Sequence, residues 1–135
     1  MTEIDPYGAD PHAPGAKLDG GKVRADLLLD FSKALKEVAK VSTFGAQKYT
    51  EGGWITVPNG AKRYKAALLR HLLEDGVDPD SNLDHLAHVA WNALAILELT
   101  LRDRDEQTIS MEGLNRLISS RDNHLPTGVC APRDA

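Results

Sequence analysis

The segment from Arg70 to Asn92 contains side chains that bind metal ions and transfer protons. Its sequence, RHLLEDGVDPDSNLDHLAHVAWN, places three histidines among several carboxylates. Imidazole nitrogens and carboxylate oxygens are common metal ligands, and both groups serve as general bases. Clustered carboxylates repel one another unless a cation such as Mg²⁺ or Mn²⁺ neutralises them. The segment therefore predicts a divalent metal site.

Two helices joined by a short turn would bring these side chains together. Helical spacing of apolar residues predicts one helix over residues 61–75 and a second from the Asp80–Ser81 pair, its expected N-cap, to about residue 102. Helices joined so closely pack antiparallel, with the end of one beside the start of the next. The residues expected to converge are His71, Glu74, Asp75, Asp78, Asp84, His85 and His88.

The second of these helices has a polar stripe that is expected to face protein. This stripe carries Asp84, His85, His88 and Asn92 and continues into Ala95 and Leu99, whereas the leucines share another face. Buried polar groups need hydrogen-bond partners or a metal. The alternative is that the histidines are ordinary core residues and that the aspartates cap helix ends. Zinc is less expected than Mg²⁺ or Mn²⁺ because no cysteine takes part, although three histidines and an aspartate could bind it.

Two loops provide candidate substrate contacts. The first, KLDGGKVR, combines two glycines with Lys17, Lys22 and Arg24, which suits phosphate oxygens. The second, GAQKYTEGGW, holds a cation and two rings that can stack on a nucleobase, Lys48, Tyr49 and Trp54. The alternatives are a solvated glycine turn in the first loop and, in the second, rings that fix the loop to the helices.

Composition favours one globular domain with a small-molecule or metal partner. The 135 residues are 41% hydrophobic and 27% charged, and the net charge of -4 argues against stable nucleic-acid binding. No apolar run approaches the ~20 residues that cross a bilayer. The single cysteine, Cys130, forms no internal disulfide, and no secretory signal is visible at the N-terminus. We therefore expect a cytoplasmic protein.

The chain divides into three predicted parts. Residues 1–21 are rich in proline and glycine and form an arm, residues 22–122 form one all-α domain, and residues 123–135 form a loose tail. Within the domain, a first helix is predicted over residues 26–44 with Gly45 as its stop, and a weak last helix over 109–121. Glu37 lies at the edge of the first helix's apolar stripe, where it either faces a neighbouring helix or pairs with Lys33 or Lys40.

The ordered motifs KLDGGKVRADLL, KEVAKVSTFGAQKYTEGGW and RYKAALLRHLLEDGVDPDSNLDHLAHVAWNALAIL resemble the phage dATP/dGTP diphosphohydrolase family, MazZ-type. The resemblance covers residues 17–99 and implies a MazG-like all-α bundle that binds Mg²⁺ or Mn²⁺ through carboxylates of two helices. It also implies cleavage of dGTP to dGMP and diphosphate, which feeds 2-aminoadenine nucleotide synthesis for phage DNA.

The resemblance implies particular site residues. Glu74 and Asp84 match the family's ExxE and ExxD carboxylates, while Glu37, Asp78 or a histidine is expected to replace each missing one. His88 is the expected proton acceptor. Besides the loop residues, Arg70 and Asn92 complete the predicted substrate-binding set.

We therefore predict a metal-dependent purine deoxynucleoside triphosphate pyrophosphohydrolase. One rival is an HD-type phosphohydrolase, although this chain has Asp84–His85, the reverse of the His-Asp order. A rival of another class is a helical regulator that binds nucleic acid without catalysis through Lys62, Arg63, Lys65 and Arg70.

We also predict a homo-oligomer, a dimer or a tetramer. Apolar residues surround the helix that begins near Ser81, and one chain has too few helices to cover them all. Symmetric pairing of identical chains is the commonest solution.

Overall fold

The computed structural model describes residues 3–122. These residues form the α-helices α1 (Ser32–Lys48), α2 (Gly60–Leu72) and α3 (His85–Asp122) and the 3-10 helices Ala25–Phe31 and Gly53–Thr56. Among them no strand occurs, and the only extended pairings are two isolated β-bridges. The prediction of an all-α fold is confirmed. None of the described helices is long and apolar enough to cross a bilayer. The predicted loose tail, 123–135, lies outside the described residues.

The first helix differs from its prediction at both ends. Residues 25–31 form a 3-10 helix, and α1 then continues past Gly45 to Lys48. A glycine inside a helix costs only ~1 kcal/mol, so the favourable residues around it extend the helix. The prediction that Gly45 stops the helix is wrong, and the extra turn brings Lys48 to within 2.5 Å of Asp80.

The last predicted helix, 109–121, is not a separate element. It is the C-terminal part of α3, which runs without a break from His85 to Asp122. The intervening residues have little apolar periodicity, but they contain neither glycine nor proline between 102 and 109, and Arg102 pairs with Glu98 one turn earlier. Helix-forming side chains therefore continue the helix where its apolar face weakens.

Helices α2 and α3 pack antiparallel, as the short connection predicts. His71 near the end of α2 contacts His85 at the start of α3, whereas Gly60 at the start of α2 lies beside Leu99 far along α3. A Cβ at Gly60 would stand 3.2 Å from Leu99 Cδ1, so the glycine permits this close approach.

The connection is longer than predicted because it extends further at both ends. Helix α2 ends at Leu72 rather than at residue 75, and α3 begins at His85 rather than directly after Ser81. The N-cap of α3 is Asp84, whose Oδ1 accepts the Leu86 backbone N–H at 2.8 Å. The prediction that the Asp80–Ser81 pair caps this helix is wrong.

Three aromatic rings join the hairpin to the loop before it. The rings of Trp54, Tyr64 and Trp91 meet edge to face, with centroids 5.5 to 6.4 Å apart. The Tyr64 hydroxyl donates to the Trp54 carbonyl at 2.6 Å, and Trp91 Nε1 donates to Ser42 Oγ of α1 at 2.9 Å. The cluster therefore ties α1, the loop and both hairpin helices together.

The interior of the described residues is small. The buried apolar residues are Val41, Ala87 and Ala95, and the buried polar residues are His85, His88 and Asn92. The polar stripe predicted for α3 is thus buried at three of its four positions. Large apolar residues on α3, in contrast, remain exposed in the single chain, including Leu86, Leu94, Leu97 and Leu101.

Residues up to Lys36 form a compact unit of their own, and a second unit begins at Glu37. In the first unit the Gly20 backbone N–H donates to the Ile4 carbonyl at 2.9 Å. The carboxylate of Asp5 accepts the backbone N–H groups of Lys17 and Tyr7, which lower its pKa. The proline- and glycine-rich arm is therefore held by backbone hydrogen bonds rather than by an apolar face.

We expect Trp91→Ala to destabilise the protein by about 3 kcal/mol, because it removes the ring that contacts both Trp54 and Tyr64. Urea denaturation followed by circular dichroism measures the change. Tyr49→Ala is the matched control, since that ring is 76% exposed and its loss should change the free energy of unfolding by less than ~0.5 kcal/mol. Equal effects of the two substitutions would contradict the structural role of the cluster.

Candidate metal centre

The connection between α2 and α3 is a tightly bonded turn. The His85 N–H donates to the Gly76 carbonyl at 2.9 Å, and the Asp78 N–H donates to the Leu83 carbonyl at 2.8 Å. Gly76 and Asn82 both have positive φ, 78° and 58°, a conformation that glycine and asparagine tolerate well. The backbone therefore fixes where the Asp78 side chain begins.

Three potential metal ligands meet at this turn. Ligand atoms of His71, Asp78 and His85 all lie within 4.8 Å of one another. The two Nδ1 atoms of the histidines are 2.9 Å apart, so one ring donates a proton to the other. Each residue comes from a different element, namely the end of α2, the turn and the first residue of α3. Within residues 3–122 this is the only group of three or more such side chains with this proximity.

A hydrogen-bond network surrounds the Asp78 carboxylate. Its Oδ2 accepts the backbone N–H of Ser81 at 2.9 Å and the Ser81 hydroxyl at 2.7 Å. The Ser81 oxygen is also 2.7 Å from His88 Nε2, which itself lies 3.7 Å from Asp78 Oδ2. The His88 ring stacks on that of His71, with centroids 4.4 Å apart and planes inclined by 8°. His88 is therefore in contact with the group from two sides.

Burial and hydrogen bonding set the charges of these side chains. Desolvation lowers the pKa of His71 and of His88, and the neighbouring histidines lower it further. For Asp78, desolvation opposes ionisation, but the two hydrogen bonds from Ser81 outweigh it and the pKa falls below its ordinary value. At neutral pH these shifts favour neutral rings at His71 and His88 and an ionised carboxylate at Asp78, and neutral imidazoles and carboxylates are the forms that bind metals.

The predicted carboxylate ligands have different surroundings. Asp78 lies in the centre described above, whereas Asp84 caps α3 and Glu37 pairs with Lys40 at 2.6 Å. Glu74 is exposed just beyond the end of α2. The structure thus brings one of the four predicted carboxylates together with two histidines. The metal roles of Glu37, Glu74 and Asp84 stay predictions.

The second loop separates its two aromatic candidates. The ring of Tyr49 is exposed, and Lys48 Nζ lies 5.5 Å from its centroid and 2.5 Å from Asp80 Oδ2. Trp54 instead packs in the aromatic cluster, which agrees with the alternative that this ring fixes the loop. Lys48 and Tyr49 therefore lie within reach of the turn that carries Asp78.

The other predicted substrate contacts occupy three places. In the N-terminal unit, Lys17 pairs with Asp19, Lys22 with Glu3 and Arg24 with Asp26. Arg70 is exposed near the end of α2. Asn92 is buried on α3, where its Nδ2 donates to the His88 carbonyl at 2.8 Å. Substrate binding by these five residues stays a prediction.

The cluster predicted to converge includes His71 and His85, but the named metal ligands are all carboxylates, and Ser81 is predicted as part of a helix cap. The signal was the regular spacing of His71, Asp78 and His85, which lie seven residues apart along the segment. With this spacing, His71 lies near the end of α2, Asp78 in the turn and His85 at the start of α3. The sequence-based ligands are carboxylates because Mg²⁺ prefers oxygen.

We expect the metal-free protein to become less stable as the pH falls below about 6.5. The unfolded chain binds protons on His71 and His88 near their ordinary pKa of 6.5, whereas the folded chain binds them only at lower pH. The unfolded state therefore holds more protons in that range, and the free energy of unfolding decreases with falling pH. Urea denaturation in EDTA at about pH 7.5 and 5.5 measures this, and His71→Gln should reduce the pH dependence. An unchanged dependence in that variant would contradict the burial effect.

The same region of the chain is covered by a family comparison. Residues 12–109 match the model of the family described as dATP/dGTP diphosphohydrolase, N-terminal, and this range contains all three ligands of the candidate centre. Comparisons with curated proteins and with solved structures find no match. The resemblance seen in the motifs is confirmed. Because the match spans well over half of the 135 residues, the chain belongs to the dATP/dGTP diphosphohydrolase family.

Proposed function

We propose that the chain is a metal-dependent hydrolase that converts a purine deoxynucleoside triphosphate into the monophosphate and diphosphate, with dGTP as the preferred substrate. The observation that carries the proposal is the convergence of His71, Asp78 and His85 at one turn within the family's matched region. Use of the dGMP product for 2-aminoadenine nucleotides in phage DNA belongs to the same proposal.

The donor set fits a divalent transition ion. Two imidazole nitrogens and one carboxylate oxygen are available at His71, Asp78 and His85. Mg²⁺ prefers sites made of oxygen alone, whereas transition ions accept nitrogen together with oxygen. Of the two ions predicted from the sequence, this set favours Mn²⁺. Glu74 and Asp84, one at each side of the turn, are proposed as further carboxylates near the substrate.

Bound at this centre, such an ion would supply positive charge against phosphate oxygens and make a water more acidic. Hydrolysis forms a bond from the water oxygen to the α-phosphorus and breaks the bond to the oxygen that bridges the α- and β-phosphates. One product is the nucleoside monophosphate, the other is diphosphate, and a proton is released. The lowered pKa values of His71 and Asp78 favour a neutral ring and an ionised carboxylate, and a bound ion would displace the proton that lies between the two histidine Nδ1 atoms.

Lys48 and Tyr49 are the proposed contacts for the triphosphate and the base. The Lys48 ammonium already binds a carboxylate oxygen of Asp80, and a phosphate oxygen would take the same position. The exposed ring of Tyr49 offers a face for stacking on a purine. Lys17, Lys22 and Arg24 are proposed as additional phosphate contacts, and each would exchange its carboxylate partner for the substrate.

We expect Asp78→Asn to reduce turnover of dGTP at least ~100-fold, because it removes the ionised oxygen of the donor set. The assay incubates the full chain with each deoxynucleoside triphosphate and Mn²⁺, and identifies the products by ion-exchange chromatography. Glu106→Gln is the matched control, since Glu106 is an exposed carboxylate of α3 outside the three-residue group, and Glu74→Gln separately tests the carboxylate predicted from sequence.

Three outcomes would contradict this proposal in different ways. Release of orthophosphate or triphosphate would show a different cleavage position. Equal losses of turnover in Asp78→Asn and Glu74→Gln would show that the carboxylates predicted from sequence form the site. Wild-type protein that releases no diphosphate, yet binds nucleic acid through the exposed Lys62 and Lys65, would favour the non-catalytic rival.

We also propose that the chain works as a homo-oligomer, a dimer or a tetramer. Leucines 86, 94, 97 and 101 of α3 are between 43% and 66% exposed in the single chain, so a second copy would bury them. Light scattering at micromolar concentration should report a multiple of 14.7 kDa. Leu94→Glu should shift the mass toward one chain, whereas Glu106→Gln should not. An active species at the single-chain mass would contradict the proposal.

A further inference from the structure

The Ser81 hydroxyl uses its full hydrogen-bonding capacity. Its oxygen lies 2.7 Å from Asp78 Oδ2 and 2.7 Å from His88 Nε2, and the Leu83 backbone N–H donates to it at 3.3 Å. A serine hydroxyl has one proton to donate and two lone pairs to accept with. These three contacts therefore use the proton and both lone pairs of the Ser81 hydroxyl.

The direction of each hydrogen bond follows from the Asp78 carboxylate. Asp78 Oδ2 already accepts the Ser81 backbone N–H, so this oxygen faces Ser81 as an acceptor and the single Ser81 hydroxyl proton points to it. The Ser81 oxygen must then accept from both Leu83 and His88. This places a proton on His88 Nε2, so that nitrogen has no lone pair with which to take a proton from water.

His88 also contacts His71, a second of the three potential metal ligands. Its ring lies parallel to that of His71 at 4.4 Å, and it is buried, with 8% of its surface exposed. Through Ser81 it reaches Asp78, and through stacking it reaches His71. One side chain from the first turns of α3 therefore restrains two of the three potential ligands.

We propose that Ser81 is a positioning residue that orients Asp78 for the metal, and that His88 holds Ser81 in place as an N–H donor instead of accepting a proton during hydrolysis. This inference rests on the proposed metal centre. It does not depend on which phosphorus the enzyme attacks.

The first test measures Co²⁺ affinity of the full chain by visible absorption, without substrate. Loss of a side chain that orients a metal ligand weakens metal binding by ~10–100-fold. Ser81→Ala should show a loss in that range together with a changed Co²⁺ spectrum. Ser81→Thr keeps the hydroxyl and should restore both the affinity and the spectrum. Circular dichroism confirms that each variant is folded.

The second test separates the two roles of His88. In His88→Gln the amide nitrogen occupies nearly the place of Nε2 and can donate to Ser81, but it cannot accept a proton as a base. We expect His88→Gln to retain most Co²⁺ affinity and most turnover, and His88→Ala to lose at least ~10-fold in both.

Particular results would overturn the inference. Wild-type Co²⁺ affinity in Ser81→Ala would remove the positioning role. Normal Co²⁺ binding by His88→Gln, with turnover as low as in His88→Ala, would make His88 the proton acceptor. If Ser81→Ala weakens Co²⁺ binding as expected but the wild-type protein releases no diphosphate, the proposed reaction fails while the inference stands. If wild-type protein binds no Co²⁺, the inference fails with the metal centre.

Discussion

An ionised carboxylate held between two helix ends is the constraint on which this hairpin depends. Asp78 lies in a partly buried turn, where an unsatisfied charge would be costly. Its side chain therefore accepts two hydrogen bonds from Ser81, while its backbone pairs with Leu83 and Asn82. The turn that joins α2 to α3 is thus the same structure that presents the carboxylate. A change that loosens the connection also displaces the candidate ligand.

Sequence patterns predict the architecture of this region because helical periodicity and a short connection leave few arrangements. They do not predict which carboxylates face inward, since that depends on where the helices end. Helix α2 stops at Leu72, almost one turn before the predicted end, so Glu74 lies outside the helical face shared by His71. Helix α3 starts at His85, which makes Asp84 a cap rather than an inward residue. A shift of about three residues at each helix end therefore leaves two histidines and an aspartate together out of the larger predicted cluster of carboxylates and imidazoles.

The same reasoning explains the helix lengths that periodicity predicts poorly. Apolar spacing indicates which side of a helix packs, but backbone propensity decides how far it extends. Gly45 is too weak a signal to stop α1, and the charged residues after Arg102 continue α3 although few of them pack. These extensions matter for function in one case. The last turn of α1 carries Lys48, whose ion pair with Asp80 brings a cation next to the turn.

Helix α3 divides its surface in an unusual way within the single chain. The polar side chains His85, His88 and Asn92 are buried, whereas Leu86, Leu94, Leu97 and Leu101 remain exposed. Burial of the polar stripe follows from the packing of α2 on α3, which satisfies it through Ser81 and neighbouring side chains. Because α2 occupies that side, it cannot also cover the leucines. Only another surface can bury them, and because each leucine is about half exposed, its further burial would contribute about 1 kcal/mol. Covering the apolar face would therefore stabilise the helix that supplies His85 and His88, so subunit association and order at the candidate metal centre are expected to be coupled through α3.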